Sequence, residues 1–380
     1  MKNTMAQKAL FLLFFILCIN PLSAQKQLLS DQARVSVITC GTGNASYSLF
    51  GHTALRIKDP VNFMDVVYNY GAFDFNTPNF VLKFIKGDLQ YFAVTHPYDT
   101  FISEYTLEKR AVYEQELNLS VPLKQELLDN LTHSLSSGDS YYTYKFIDKN
   151  CTSMVVDLIN KTLKTKAIVK KTDTEISYRA ILFPYFEHHF YEKLGTSIIF
   201  GEKVDRLATQ LFLPFELLKS LEQLSYQKQS LIKGTTTTVL DFEQQIPVSW
   251  WNNAYTYVAF LIFVILINSK IINQAYLLIM ALLGVFFVFA GFYSDHQELA
   301  YNYNILLFNP LLFVLWYFYT TKNSSYIYKA ALANVCCLLV YVALVADKIH
   351  FVIVLPLVIT NAIIFIRLVF QNYKKTPISI

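Results

Sequence analysis

The sequence predicts an α+β domain exported across the cytoplasmic membrane and followed by an all-α membrane domain of five helices. Three observations lead there. A basic, apolar leader opens the chain, residues 25–249 mix short alternating strands with amphipathic helices, and the remainder is a series of long apolar runs. The hydrophobic fraction of 54% is high for a soluble protein, and the excess is concentrated at the two ends, as a leader and a membrane domain require. The predicted boundaries are 1–24 for a signal peptide, 25–249 for the exported domain and 250–380 for the membrane domain.

The leader carries Lys2 and Lys8, an apolar run from Ala9 to Ile19, and Pro21-Leu22-Ser23-Ala24 before Gln25. That is a cleavable secretory pattern, and the apolar run is too short for an anchor. Leu17 before Cys18 is too large for a lipoprotein cleavage site.

Strands are predicted at Val35–Thr39, Thr53–Ile57, Val66–Tyr70, Leu89–Val94 and Ala111–Leu119, where apolar and β-branched residues alternate. Helices are predicted at Asn79–Lys86, at Leu123–Leu135 after Pro122, from Cys151 onward, and at Leu211–Leu224. A small hairpin is expected over Leu231–Phe242, and Trp250-Trp251 marks the membrane interface.

Five spans are predicted at Ala254–Asn268, Ile272–Phe292, Asn304–Tyr319, Tyr328–Ala346 and Phe351–Phe370. With an exported first domain, Lys270, Lys322, Lys329, Arg367, Lys374 and Lys375 fall inside and only Lys348 falls in an outer loop. The bias sets a cytoplasmic C-terminus. A net charge of +4, spread along the chain with no basic run interleaved with aromatics, argues against a nucleic-acid partner.

The most informative residue is Cys151. It opens a helical pattern in which Met154, Val155, Leu158 and Ile159 share a face, with Asn150 and Asp148 as candidate caps. Unpaired N–H groups at a helix start stabilise a thiolate, so this position makes a nucleophile. His52, on the strand Phe50-Gly51-His52-Thr53-Ala54-Leu55-Arg56-Ile57, is the candidate base, because an imidazole exchanges protons near neutral pH. Asn69 is the expected orienting group, with Tyr70 and Asp74 as alternatives.

Arg56, on the His52 face of the strand, is a candidate substrate-binding residue. Tyr70, Asn150 and the outer-loop residues Ser294, Asp295 and His296 complete the expected substrate-binding set. His188-His189 is read as surface, since adjacent helix positions do not converge on one ion, and neither a metal nor a cofactor is expected. Of the five cysteines, Cys18 leaves with the leader and Cys336 and Cys337 lie in a span. Cys40 and Cys151 remain, and a disulfide between them is the alternative to a reactive thiol.

These residues together resemble a known family. Cys40-Gly41-Thr42-Gly43, the His52 strand, Tyr68-Asn69-Tyr70-Gly71-Ala72-Phe73-Asp74-Phe75 and Asp148-Lys149-Asn150-Cys151-Thr152-Ser153 resemble the periplasmic domain of Lnb-type lipoprotein N-acyltransferases. Ser294-Asp295-His296 with Asn302, Asn304, Asn309 and Pro310 resembles the membrane part of that family. The order of strand histidine and helix cysteine also resembles circularly permuted papain-like proteins, of the NlpC type and the lecithin:retinol acyltransferase group. The resemblance implies a permuted papain-like catalytic domain with Cys151 as nucleophile and His52 as base. It implies transfer of an acyl chain from a phospholipid to the α-amino group of a diacylated lipoprotein, in the bacterial inner membrane, with Arg56 the candidate to bind the donor's phosphate bidentately. Two other readings stand beside it: a membrane-tethered cysteine peptidase or amidase of cell-wall peptides, and a non-enzymatic scaffold with a Cys40–Cys151 disulfide.

Overall fold

The computed structural model describes residues 28–45, 47–243 and 249–373. The leader, Lys374 and Lys375 lie outside the described residues.

The first part is a seven-stranded antiparallel sheet with strand order β6-β4-β3-β2-β1-β5-β9. Its strands are β1 (Arg34–Cys40), β2 (His52–Asp59), β3 (Met64–Ala72), β4 (Gln90–Pro97), β5 (Val112–Glu116), β6 (Tyr142–Thr143) and β9 (Thr237–Leu240). β7 (Ser225–Tyr226) and β8 (Gln229–Ser230) form a separate hairpin. The small hairpin expected over Leu231–Phe242 does not form. That segment instead sends β9 to pair with β5, a long-range pairing that local pattern does not encode.

Helices in this part are α1 (Phe80–Lys86), α2 (Tyr98–Leu107), α3 (Val121–Ser137), α4 (Cys151–Leu163), α5 (Tyr178–Leu182), α6 (Phe190–Ile199) and α7 (Pro214–Leu221). Both faces of the sheet are covered. Val35, Val37, Leu55, Ile57, Tyr68 and Tyr70 pack beneath α3, α4 and α7 in the larger core. The alternate residues Ile38, Cys40, Ala54, Val67 and Val112 pack beneath Phe101 and Tyr105 of α2. This is the period of two that a pleated strand imposes, so neighbouring residues of β2 serve different layers. α2 is missing from the sequence reading, because its helix carries a weak apolar stripe and begins directly after Pro97.

The second part contains α8 (Ala254–Ile267), α9 (Lys270–Tyr293), α10 (Leu311–Thr321), α11 (Ser324–Val345) and α12 (Phe351–Tyr373). Four stretches are long and apolar enough to cross a membrane: Lys270–Tyr293, Gln297–Thr321, Ser324–Val345 and Phe351–Tyr373. The first of the five expected spans is α8, a shorter apolar helix than the others. Its 14 residues rise roughly 21 Å, short of the ~30 Å hydrocarbon thickness. α8 still links two ends of the bundle. Trp251 stacks on Tyr191 of α6 at one end, whereas at the other Arg367 donates to the Ile265 carbonyl and Lys270 to the Thr320 carbonyl.

The stretch between α9 and α10 enters as two 3-10 turns, Gln297–Leu299 and Tyr303–Leu306. Irregular backbone beside a membrane needs internal partners. Asn302 and Asn304 supply them by donating to the carbonyls of Ile198, Ile199 and Ser197 in α6. Gly284 of α9 lets this stretch lie close, since a Cβ there would stand 1.5 Å from the Phe308 carbonyl oxygen. α6 packs its apolar side into the helical core of the second part, so it joins the two parts.

Candidate active site

The cysteine helix is held by its own first turn. Asn150 caps α4, its side-chain oxygen accepting from the N–H groups of Thr152 and Ser153 at 2.9 and 3.1 Å. The Asn150 N–H in turn donates to the Ser153 hydroxyl oxygen, closing a capping box. The Asn150 side-chain amide donates to the carbonyls of Phe146 and Phe212. Asn150 is therefore fully engaged in building the turn, which corrects its expected place among substrate-binding residues. Asp148, the other candidate cap, is paired with Lys203.

β2 brings His52 to the start of α4. Thr53 and Thr152 join their hydroxyls at 3.0 Å, fastening strand to helix. His52 Nε2 lies 2.5 Å from Asn69 Oδ1 on β3. With Nε2–H donating to that oxygen, Nδ1 is the nitrogen left for the thiol. His52 and Cys151 hydrogen-bond to each other, and both are half-buried. The structure thus gathers Cys151, His52 and Asn69 in one line.

Charge reinforces the arrangement. Burial works to raise the Cys151 thiol, yet the facing imidazolium, its hydrogen bond, the Thr53 N–H and the Thr152 hydroxyl outweigh it and hold the thiol below its ordinary value. Burial works to lower His52, but the Cys151 thiolate and the bond to Asn69 hold it above the usual imidazole value. Each ion favours the other, as in a thiolate–imidazolium pair.

Gly71 makes room for the pair. It sits at a break in register between β3 and β4, with φ +116°. A Cβ there would lie 3.5 Å from His52 Cε1 and 3.8 Å from the Cys151 Cβ.

Cys40 is directly opposite His52 in the β1–β2 register, fully buried, and a free thiol like Cys151. Burial pushes its pKa up to about 12, against a hydrogen bond with Tyr105 and the charge of Arg110. It is held as a thiol beneath α2, not in the disulfide of the scaffold reading.

Arg56 is not free for a phosphate. Its guanidinium makes a two-pronged bond to Asp65 at 2.7 Å, donates to Glu114 at 2.8 Å and lies 3.2 Å over the Tyr98 ring. Only 8% of the residue is exposed. Tyr70 is buried under α3, where its hydroxyl meets Ser134, and is a core residue. Asp74 turns away into an exposed Asx turn with Asn76. His189, expected at the surface, is buried at the start of α6.

The outer-loop residues touch the sheet domain but not the thiol. The Ser294 hydroxyl, the Asp295 N–H and the His296 ring meet the carbonyls of Ile85, Lys86 and Phe84 at 2.7, 2.7 and 3.0 Å. Another residue of that loop, absent from the expected set, contacts the cysteine segment directly. Glu298, buried to 1% exposure, accepts the Ile147 N–H at 2.8 Å, four residues before Cys151. An ionisable side chain at the entrance to an apolar span is the signal that marks it. Among the described residues, no group of three His, Cys, Asp or Glu side chains is gathered as a metal needs.

Comparison with known proteins places the first part. Residues 22–182 match the family model of the Lnb N-terminal periplasmic domain, a stretch that contains Cys40, His52, Asn69 and Cys151. No curated protein and no solved structure matches the chain. The likeness is to that periplasmic domain and covers the first part of the chain. A periplasmic domain joined to four apolar helices of spanning length is consistent with a multi-pass bacterial membrane protein.

Proposed function

We propose that this chain is a lipoprotein N-acyltransferase of the bacterial inner membrane, working through a thioester on Cys151. The observation that carries the reading is the Cys151–His52–Asn69 line at the start of a capped helix, in a domain docked on membrane-spanning helices.

In the first half-reaction the Cys151 thiolate attacks the ester carbonyl of a phospholipid. The carbonyl π electrons move to oxygen, giving a tetrahedral oxyanion. The Thr152 and Ser153 N–H groups are spent on the Asn150 cap, so the Cys151 N–H is the donor of that turn assigned to the oxyanion. As the oxyanion collapses, the ester C–O bond breaks and His52 Nδ1 protonates the departing lysophospholipid oxygen. In the second half-reaction the α-amino group of a diacylated lipoprotein attacks the thioester. His52 accepts the amine proton, the C–S bond breaks, and the amide is released with the thiolate–imidazolium pair restored. Asn69 keeps the ring oriented throughout. The circularly permuted papain-like relationship belongs to this proposal, as does a cytoplasmic C-terminus. No metal or cofactor enters the scheme.

The deciding experiment is Cys151→Ser in cells that depend on this protein, with lipoprotein N-termini read by mass spectrometry. Loss of triacylated lipoproteins, with a Cys151-linked acyl adduct in the intact mass of the parent protein, is the expected result. Triacylation that continues undiminished in the variant would overturn the proposal. Release of free fatty acid without amine acylation would point to a hydrolase.

A further inference from the structure

The segment between β3 and β4 carries an apolar surface that the chemistry at Cys151 does not use. α1 has the sequence Phe-Val-Leu-Lys-Phe-Ile-Lys and contributes no buried residue. Val81, Leu82 and Phe84 are 64%, 58% and 45% exposed, and nearby Phe75 is 73% exposed. Single exposed apolar residues are ordinary, but a cluster within one short excursion indicates a partner.

The position of α1 identifies that partner. Its last three carbonyls are bound by Ser294, Asp295 and His296, the residues that follow α9 directly. α9 is a candidate membrane span, and Phe292 in its last turn is 90% exposed. The apolar side of α1 therefore continues the outer end of a lipid-facing helix. Lys83 is exposed on α1 and Lys86 sits at its end beside Asp88, as suits a helix whose basic side chains reach phosphate headgroups. Behind α1, Phe80 and Phe75 contact Phe73, which packs on Tyr91, and Tyr91 stacks on Tyr144 at 4.5 Å. The row leads from the exposed residues toward the cysteine segment.

We infer that α1 with Phe75 is a lipid-binding surface, seated at the headgroup–acyl boundary of the leaflet on the side of the sheet domain. The inference rests on the apolar helices crossing a bilayer and is independent of the reaction at Cys151. Its internal contrast is Phe63, 97% exposed in the β2–β3 turn at the far end of the same strands. β3 carries that turn roughly 26 Å from the Gly71 end, taking ~3.3 Å per residue.

The test uses the full chain carrying Cys151→Ala, so that lipid contact is read apart from acyl transfer. The protein is placed in vesicles of phosphatidylethanolamine and phosphatidylglycerol with p-benzoylphenylalanine in place of Leu82 or, separately, of Phe63. Irradiation is expected to add a phospholipid mass at position 82 and none at position 63. A Leu82→Trp variant gives a second reading: its added fluorescence, taken against the protein without it, is expected to be quenched by bromine-labelled acyl chains. No adduct with no quenching, equal adducts at both positions, or a protein–protein adduct at position 82 would each overturn the inference.

Discussion

Removing the Asn69 amide isolates the group that orients the base. In Asn69→Ala the bond from His52 Nε2–H to Oδ1, 2.5 Å long, is lost, while the thiol and ring remain. A hydrogen bond to a charged partner contributes about 1.5–3 kcal/mol. At ~1.36 kcal/mol per decade of rate, the ion pair at Cys151 should react ~10- to 150-fold more slowly. Because Asn69 is only half-buried, the lower part of that range is expected. The pH dependence carries a sign. The bond to Asn69 helps to raise His52, so removing it lowers the pH at which the imidazolium deprotonates. Cys151 is then less strongly held in its thiolate form, so the acidic limb moves up while the limb set by His52 moves down. The window occupied by the ion pair narrows from both sides. The assay is the rate of Cys151 alkylation by iodoacetamide against pH, followed by peptide mass in the full-length protein. Reading the Cys151 peptide matters because Cys336 is exposed and Cys337 is half-buried like Cys151, whereas Cys40 is buried with its pKa pushed up to about 12. An unchanged rate and an unmoved window, in a variant of native melting temperature, would refute the assignment of Asn69.

Substitutions at two further positions separate structural from chemical roles. Arg56→Ala leaves Asp65 and Glu114 without their shared partner beneath α2; because Asp65 is 33% exposed and keeps Lys58 at 3.6 Å, the cost should fall below the about 3–5 kcal/mol of a fully buried pair. Thermal unfolding in detergent should register that loss, while the remaining folded protein keeps its KM for phospholipid; a raised KM at native stability would restore Arg56 to the donor site. Gly71→Ala should destabilise by ~1–3 kcal/mol through its positive φ alone, and Gly71→Val should further slow Cys151 alkylation by filling the gap beside His52. Equal alkylation rates in the two variants would show that the gap is not needed.

How much of this was legible in the sequence follows from the range of each interaction. The α4 start was readable because its capping box spans only Asn150 to Ser153, within one turn. Asn69 was reachable because it lies on the strand next to His52, on the face that period-two alternation assigns. Arg56 misled for a complementary reason. The same alternation puts it on the His52 face, but its partners Asp65 and Glu114 come from β3 and β5, and only the register shows that they meet it. Tyr70 shows the reverse error. It adjoins Asn69 in sequence, yet one residue along a strand reverses the face, which sends it into the core under α3.

The outer loop was harder, because its meaning depends on a contact between residues about 150 positions apart. Polar residues at a span end invite a catalytic reading, and Ser294, Asp295 and His296 received it. The structure shows them holding α1 by its carbonyls, while the buried carboxylate of Glu298 reaches the segment that leads into Cys151. The membrane helices therefore do more than tether the sheet domain. Through Glu298 they fix the backbone at Ile147, and through Ser294–His296 they fix the apolar surface of α1. A displacement of that loop would thus move the approach to the thiol and the lipid-facing helix together. The physical coupling lies in five hydrogen bonds, three to α1, one to the Ile147 N–H and one from Lys145 Nζ to the Asp295 carbonyl.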